Sequence, residues 1–164
     1  MESLNVAVPG FEHEPVLLQE CIEQLRILPG GIYVDCTVGG GGHSTAILEL
    51  LGPGGRLIGI DKDETALTAA GNRLNQVKSQ GSYTLVHSDF AEIDNVLSNL
   101  NLEKADGILA DLGVSSPQLD QADRGFGYSS EGPLDMRMDR TAMLNAEMVV
   151  NGYPEAELYR ILRE

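Results

Sequence analysis

The chain of 164 residues is long enough for one domain with a hydrophobic core, and its 42% hydrophobic residues are typical of a globular protein. Its 11 lysines and arginines against 25 aspartates and glutamates give a net charge of −14, which argues against general nucleic-acid binding through a broad basic surface but leaves a local basic patch open. Cys21 and Cys36 have neither metal-binding nor redox spacing, so we expect reduced thiols, no metal and a cytoplasmic location. No apolar stretch is long enough to span a bilayer and no signal peptide is recognisable, so no membrane association is expected.

Taken in chain order, the pattern predicts a flexible tail over residues 1–12 and then alternating helices and strands. A first amphipathic helix follows Pro15 and ends before Pro29. The predicted strands are 32–34, 56–60, 83–86 and 107–110. The predicted helices are 45–51, 64–77, a short one at about 93–100, and a pattern from 142 that breaks at Gly152 and restarts after Pro154. This alternation indicates an α/β fold with a parallel sheet and right-handed crossovers.

Four consecutive glycines, 39–42, follow the first predicted strand and its terminal Asp35. We expect a tight turn here and an N-cap at Ser44 for the next helix. A glycine turn that leads into a helix N-terminus lets a ligand approach free backbone N–H groups. A tight turn without any ligand explains the glycines equally well, because a lone glycine-rich match is weak.

Asp61 ends the second predicted strand and follows Gly41 by 20 residues. At this spacing an acidic residue reaches the ribose hydroxyls of a bound nucleoside. A carboxylate has two acceptor oxygens and no donor, so it can accept both hydroxyl protons. A helix cap is the alternative role for Asp61, and the glycine turn upstream favours the ribose role.

Four aspartates, Asp35, Asp61, Asp89 and Asp111, lie at or just past the ends of the four predicted strands. The carboxyl ends of parallel strands share one edge of the sheet, which is where ligands bind in folds of this kind. A single aspartate in such a position is often only a turn or cap residue. Four of them together favour a binding site at this edge.

Residues 112–140 are predicted to be irregular, and so long a loop in a compact domain is usually functional or disordered. Its cations are Arg124, Arg137 and Arg140. They are equally compatible with a phosphate-binding role and with simple pairing to the neighbouring aspartates 123, 135 and 139.

Several motifs resemble those of the RsmH family, also called MraW. They are His13-Glu14-Pro15-Val16-Leu17-Leu18, Gly41-Gly42-His43-Ser44, Asp111-Leu112-Gly113-Val114-Ser115-Ser116-Pro117-Gln118-Leu119-Asp120, Arg124-Gly125-Phe126 and Gly132-Pro133-Leu134-Asp135-Met136-Arg137-Met138-Asp139. The stretch that begins at Asp111 and the closing part from Arg124 to Asp139 are long and specific. The resemblance runs from His13 to the end and implies a Rossmann-like class I methyltransferase fold.

The resemblance implies methylation of N4 of a cytidine in the decoding region of 16S ribosomal RNA of the small ribosomal subunit, with S-adenosyl-L-methionine as cofactor. The cofactor-binding residues that it implies are Gly41, Gly42, His43, Asp61, Phe90, Asp111 and Gln118, all present here. Phe90 would lie against adenine, although an ordinary core aromatic is the alternative. The catalytic candidates are Asp111, Ser115 and Ser116; the serines are equally explained as a capped turn before Pro117. The target base must be unstacked, which favours RNA outside a duplex.

Members of the family are considerably longer, so we expect this chain to be an N-terminal part with an incomplete sheet, inactive on its own. The expected domains are a cofactor-binding domain over 13–140 and the start of a helical substrate-recognition insertion over 141–164. Two other functions stay open: an inactive fragment or regulatory binding module, and a nicotinamide-dependent oxidoreductase. The oligomeric state does not follow from the sequence.

Overall fold

The computed structural model describes residues 15–163, so the predicted tail over 1–12 and His13 lie outside the described residues. The strands are β1 (Ile32–Asp35), β2 (Arg56–Asp61), β3 (Ser82–His87) and β4 (Gly107–Leu109). The α-helices are α1 (Leu18–Leu25), α2 (Gly42–Leu50), α3 (Glu64–Leu74), α4 (Ile93–Asn99), α5 (Ser116–Asp120), α6 (Ala146–Gly152) and α7 (Glu155–Arg163). Two 3-10 helices cover Phe90–Glu92 and Ala122–Arg124.

The sheet is parallel throughout and has the strand order β3-β2-β1-β4. Successive side chains of a strand point to opposite faces, so the central strands contribute to two separate cores. The core on one face contains Tyr33, Ile47, Leu48, Leu51, Leu57 and Leu74. The core on the other face contains Val34, Cys36, Ile58, Ile60 and Val96. Helices α2 and α3 therefore cover one face and α4 the other, with about 1.5–3 kcal/mol of stabilisation for each large apolar side chain buried.

The α/β fold with a parallel sheet is confirmed, and so is each predicted strand to within a residue or two. Two predictions about local structure are wrong. Helix α2 begins at Gly42 with Gly41 as its N-cap, so Ser44 is not the cap. The segment 112–140 is not irregular throughout, because it contains α5 and a 3-10 helix.

The contacts of the described residues divide the chain after Gly113 into two compact units, 15–113 and 114–163. The first unit contains the sheet and helices α1 to α4. The second contains the remaining helices. The predicted functional domains, 13–140 and 141–164, stay a prediction. Among residues 15–163, the helices are all too short or too polar to cross a membrane.

Candidate functional site

The carboxyl edge of the sheet brings the strand-end aspartates to one side of the first unit. Asp35 and Asp61 are the last residues of β1 and β2, which pair in parallel. Asp89 follows β3 and Asp111 follows β4, and these strands are parallel to their neighbours as well. The predicted common edge is confirmed, but the four carboxylates do different things there.

Asp35 is a structural residue. Its side chain is completely buried, and it accepts hydrogen bonds from the Ser44 hydroxyl at 2.6 Å and the Thr37 N–H at 3.1 Å. Burial raises its pKa, and the two hydrogen bonds oppose this by stabilising the ionised form. Ser44 thus serves the end of β1 instead of capping α2. A carboxylate enclosed in this way takes no part in contacts to a ligand.

The raised pKa of Asp35 predicts that the stability of the fold depends on pH. Between this pKa and the ordinary value of 3.8, the folded chain binds a proton at Asp35 that the unfolded chain does not. The contribution of Asp35 to the free energy of unfolding therefore increases as the pH falls through this range, and it is lost as the pH rises through the raised pKa. In Asp35→Asn this titration is absent. We therefore expect the urea midpoint of the unsubstituted chain to rise relative to that of Asp35→Asn as the pH is lowered through the raised pKa towards 3.8. A difference between the two chains that is independent of pH would contradict this.

The glycine turn is held by hydrogen bonds at both ends of its backbone. The Gly39 N–H donates to Asp61 Oδ2 at 2.8 Å, and the Gly41 N–H donates to the Val38 carbonyl at 2.8 Å. The guanidinium of Arg73 donates to the Gly40 carbonyl at 3.2 Å. These bonds fix the path of the turn.

Packing explains two of the glycines and leaves a third open. A Cβ on Gly41, where φ is 79°, would lie 3.2 Å from the Cα of Ala70. A Cβ on Gly42 would lie 2.2 Å from Cγ of Pro15. Gly39, at φ 51°, is different, because its Cβ would have only the Thr37 carbonyl oxygen near it, at 3.9 Å. The turn therefore packs on the protein at Gly41 and Gly42 and is open at Gly39.

Asp61 ties the turn to the end of β2. One carboxylate oxygen accepts from Gly39, and the other accepts from the Asp63 N–H at 2.9 Å. Burial raises the pKa of Asp61, and these N–H groups counteract the effect. The alternative role as a helix cap belongs instead to Asp63, which accepts from the Thr65 N–H at the start of α3. Each Asp61 oxygen has a second lone pair, so capacity remains for two hydroxyl donors.

Phe90 lies next to the end of β3 and is not an ordinary core aromatic, since 41% of its surface is exposed. The ammonium of Lys62 lies 5.9 Å from the centre of its ring and 2.6 Å from Asp89 Oδ2. The other oxygen of Asp89 accepts from the Ala91 N–H at 3.0 Å. That bond and the pair with Lys62 lower the pKa of Asp89. Asp89 therefore organises the segment that carries Phe90.

Asp111 and His43 differ in accessibility. Asp111 is exposed, and its backbone N–H donates to Oγ1 of Thr37 at 2.7 Å, which joins the end of β4 to the end of β1. His43 is buried, and its Nε2 donates to the Val16 carbonyl at 3.1 Å. The His43 ring thus holds the segment before α1 through its Nε2.

The remaining predicted site residues belong to the second unit. Ser115 is the N-cap of α5, and its N–H donates to Oε1 of the buried Gln118 at 3.1 Å. Ser116 is the first residue of that helix. This arrangement fits the capped turn that was the alternative for the two serines.

For Arg137 and Arg140, the structure favours ion pairing within the second unit. Arg137 forms a two-point pair with Asp135 at 2.8 and 2.7 Å, and Arg140 contacts Asp123 at 3.1 Å. The pair lowers the pKa of Asp135 to about 2. The guanidinium of Arg124 is buried and donates to the carbonyls of Arg137 and Met138. These residues hold the segment between α5 and α6 together.

Two residues of the edge escaped the sequence analysis, Thr37 and Lys62. Thr37 lies two positions after the end of β1, and Lys62 lies one position after the end of β2. This position past a strand end was the sequence signal that could have identified them. Among residues 15–163, no three or more His, Cys, Asp and Glu side chains are grouped so as to hold a metal ion.

Comparison with known proteins agrees with the fold and the motifs. The family model of the MraW methylase family matches residues 10–164. The chain is 53% identical over 155 residues to the ribosomal RNA small subunit methyltransferase H of Symbiobacterium thermophilum, covering 94% of this chain and 48% of that protein. Identity is 52% over 153 residues to the protein of the same name from Clostridium botulinum strain Kyoto (93% and 48% covered) and 49% over 154 residues to that of Ruminiclostridium cellulolyticum (94% and 49% covered). The chain spans about half the length of the curated relatives it matches. The resemblance predicted from the motifs is confirmed: the chain belongs to the MraW methylase family.

Proposed function

We propose that this chain carries the S-adenosylmethionine-binding part of an enzyme that methylates 16S ribosomal RNA of the small ribosomal subunit, at N4 of a cytidine in the decoding region. The observation that carries the proposal is Asp61, which closes the glycine turn from the end of β2 and still has an acceptor position on each oxygen. Support also comes from relatives named as small subunit ribosomal RNA methyltransferases.

The residues at the carboxyl edge fit an adenosine-containing cofactor. Asp61 has acceptors for two ribose hydroxyls, and Phe90 offers an exposed aromatic surface for a base. The open side of the turn at Gly39 leaves room for close approach to the backbone. The first N–H groups of α2, from Gly42 and His43, have no acceptor within their own helix and suit the carboxylate of a methionine moiety.

When bound, S-adenosylmethionine supplies an electrophilic methyl group on its sulfonium sulfur. The acceptor amine of cytidine is a poor nucleophile, because its lone pair is delocalised into the ring. The main task of the protein is therefore to hold the amine in line with the methyl group, and good positioning contributes about 7 kcal/mol or more. The exposed Asp111 is suited to this task, since its carboxylate can accept a hydrogen bond from the amine or orient the cofactor.

The proposal also includes two further cofactor-binding residues, Gly41 and Gln118, and two further catalytic residues, Ser115 and Ser116. Gly41 shapes the turn by its left-handed conformation, and Gln118 is engaged with the Ser115 backbone. A base inside a duplex cannot reach such an edge, so the substrate is an unstacked cytidine. Small subunits are assembled in the cytoplasm, and we place the reaction there.

One feature argues against the nicotinamide-dependent oxidoreductase. The position of the third glycine in a dinucleotide fingerprint is occupied by Ser44, and the Ser44 hydroxyl is needed by the buried Asp35. Glycine could not supply that hydrogen bond. The glycine pattern here therefore serves a different turn from the one that binds NAD.

The test has two stages. Calorimetric titration should show binding of S-adenosylmethionine and none of NADH; the opposite preference would contradict the proposal. Tritiated cofactor is then incubated with small subunits that lack the modification, with the relative from Symbiobacterium thermophilum as positive control. Label in N4-methylcytidine of 16S RNA supports the proposal, and label in a different nucleoside contradicts the assigned position. Binding without methyl transfer, beside an active control, is expected both of a cofactor-binding part that is inactive on its own and of a regulatory binding module, so this outcome supports the cofactor site only.

A further inference from the structure

We propose that Lys62 is a positioning residue of the cofactor site: its ammonium group, held by Asp89, fixes the Phe90 ring as the surface on which the adenine of the cofactor lies. This inference rests on the proposed function and adds a residue to it. Lys62 directly follows Asp61, so one short segment would serve both the ribose and the base.

The first observation is that Phe90 lacks the support of a core. It belongs to a 3-10 helix of three residues, Phe90–Glu92, and is 41% exposed. Neither of the two buried clusters in the described part of the chain includes it. An exposed aromatic ring on a short 3-10 helix needs other contacts if it is to present a fixed surface to a planar base.

Lys62 supplies such contacts from the position directly after β2, the strand next to β3. Its ammonium lies over the Phe90 ring at 5.9 Å from the centroid, within the range of a cation–π interaction. The same group is 2.6 Å from Asp89, the residue before Phe90. The ring thus has a cation over one face, and its exposed surface is left for a base.

The backbone of Lys62 is fixed as well. Its carbonyl accepts a hydrogen bond from Nε2 of His87 at 2.9 Å, and Asp61 is aligned with His87 in the register of β2 and β3. The ammonium therefore extends from a fixed point at the sheet edge towards Phe90. An arrangement of this kind connects the ribose acceptor Asp61 to the proposed adenine surface.

A plain surface ion pair is the competing explanation. The side chains of Lys62 and Asp89 are 33% and 42% exposed, and pairs this accessible contribute little to stability. The two explanations consequently differ in what the loss of Lys62 affects. If Lys62 only forms a surface ion pair, its replacement should have no measurable effect. If Lys62 is a positioning residue, its replacement should weaken cofactor binding and leave the fold unchanged.

The test measures binding of S-adenosylhomocysteine by calorimetry to the full chain and to three variants. Lys62→Met keeps the aliphatic stem, and Lys62→Arg keeps the charge. The third variant is Lys104→Met. Lys104 is exposed and precedes β4, at the opposite edge of the sheet, so it is the matched control for the loss of one positive charge. We expect Lys62→Met to raise Kd about fivefold or more, and Lys62→Arg and Lys104→Met to change it less than about twofold. The melting temperature of Lys62→Met should stay within about 2 °C of the parent.

A double-mutant cycle with Phe90→Ala separates positioning from a general effect. If Lys62 acts through the ring, Lys62→Met should have no further effect on Kd in the Phe90→Ala background. Equal effects in both backgrounds, or an unchanged Kd in Lys62→Met, overturn the inference and leave the proposed function standing. Absence of binding to the unsubstituted chain overturns both.

Discussion

Replacement of Asp61 by alanine is expected to weaken binding of S-adenosylmethionine by about a hundredfold or more, because the variant loses acceptors for two ribose hydroxyls and hydrogen bonds to a charged group contribute about 1.5–3 kcal/mol each. The structure adds a second reason. Alanine also releases the N–H groups of Gly39 and Asp63, which hold the glycine turn and the start of α3. The measurement is calorimetric titration, with circular dichroism to establish that the variant is folded.

Two controls make this result specific. Glu103→Ala removes one negative charge from an exposed position before the start of β4, whereas the carboxyl edge lies past the end of that strand, and should leave the affinity unchanged. Asp61→Asn retains one acceptor oxygen and should fall between the parent and Asp61→Ala. Unchanged affinity in a folded Asp61→Ala variant would show that the ribose site lies elsewhere.

Replacement of Gly125 by alanine is expected to destabilise the second unit by about 3 kcal/mol, as the sum of left-handed strain of roughly 1–2 kcal/mol and steric overlap of roughly 1–3 kcal/mol. Gly125 has φ 74°, and its Cβ would lie 2.2 Å from the Pro133 carbonyl oxygen and 2.9 Å from the Asp135 N. Both contacts are with backbone atoms, which cannot rotate away. Hydrogen exchange of peptides that cover 122–136 should accelerate.

Gly54→Ala is the matched control for the backbone strain. Gly54 has φ 83°, but a Cβ there would have no atom within 4 Å. Its substitution should therefore cost only the left-handed strain, about 1–2 kcal/mol, and leave exchange over 122–136 as in the parent. Equal losses of stability in the two variants would show that the overlap at Gly125 is relieved by movement of the loop.

The sheet could be predicted from the sequence because each strand is a short apolar run between turn residues, and Asp35 and Asp61 mark two of the strand ends. The cap of α2 could not. Ser44 has the right chemistry for an N-cap, but the partner that decides its role is Asp35, nine positions earlier along the chain. The helix α5 carried a local signal in Ser115 and Gln118, which the loop-forming composition around them concealed.

For the site, the sequence predicted the edge but not the distribution of roles along it. Chain spacing indicates which residues reach the ends of the strands, and this was sufficient to predict that Asp61 ends β2. It does not reveal burial, which removes Asp35 from ligand contact and turns the His43 ring towards Val16. Nor does it reveal pairings between neighbouring strands, and for that reason Lys62 and Thr37 emerged only from the structure.

The buried bond between Asp35 and Ser44 has a consequence for how the sheet is assembled. The residues before Asp35, Ile32 to Val34, are all apolar or aromatic, and a run of this kind in a sheet covered on both faces specifies its register weakly. A shift of β1 by one residue against β2 would take the Asp35 carboxyl group away from the Ser44 hydroxyl and leave it without its hydrogen-bond partner in the interior. Misaligned pairings are thereby raised in energy. One polar residue at the end of the central strand thus selects a single alignment from several that its apolar neighbours would accept.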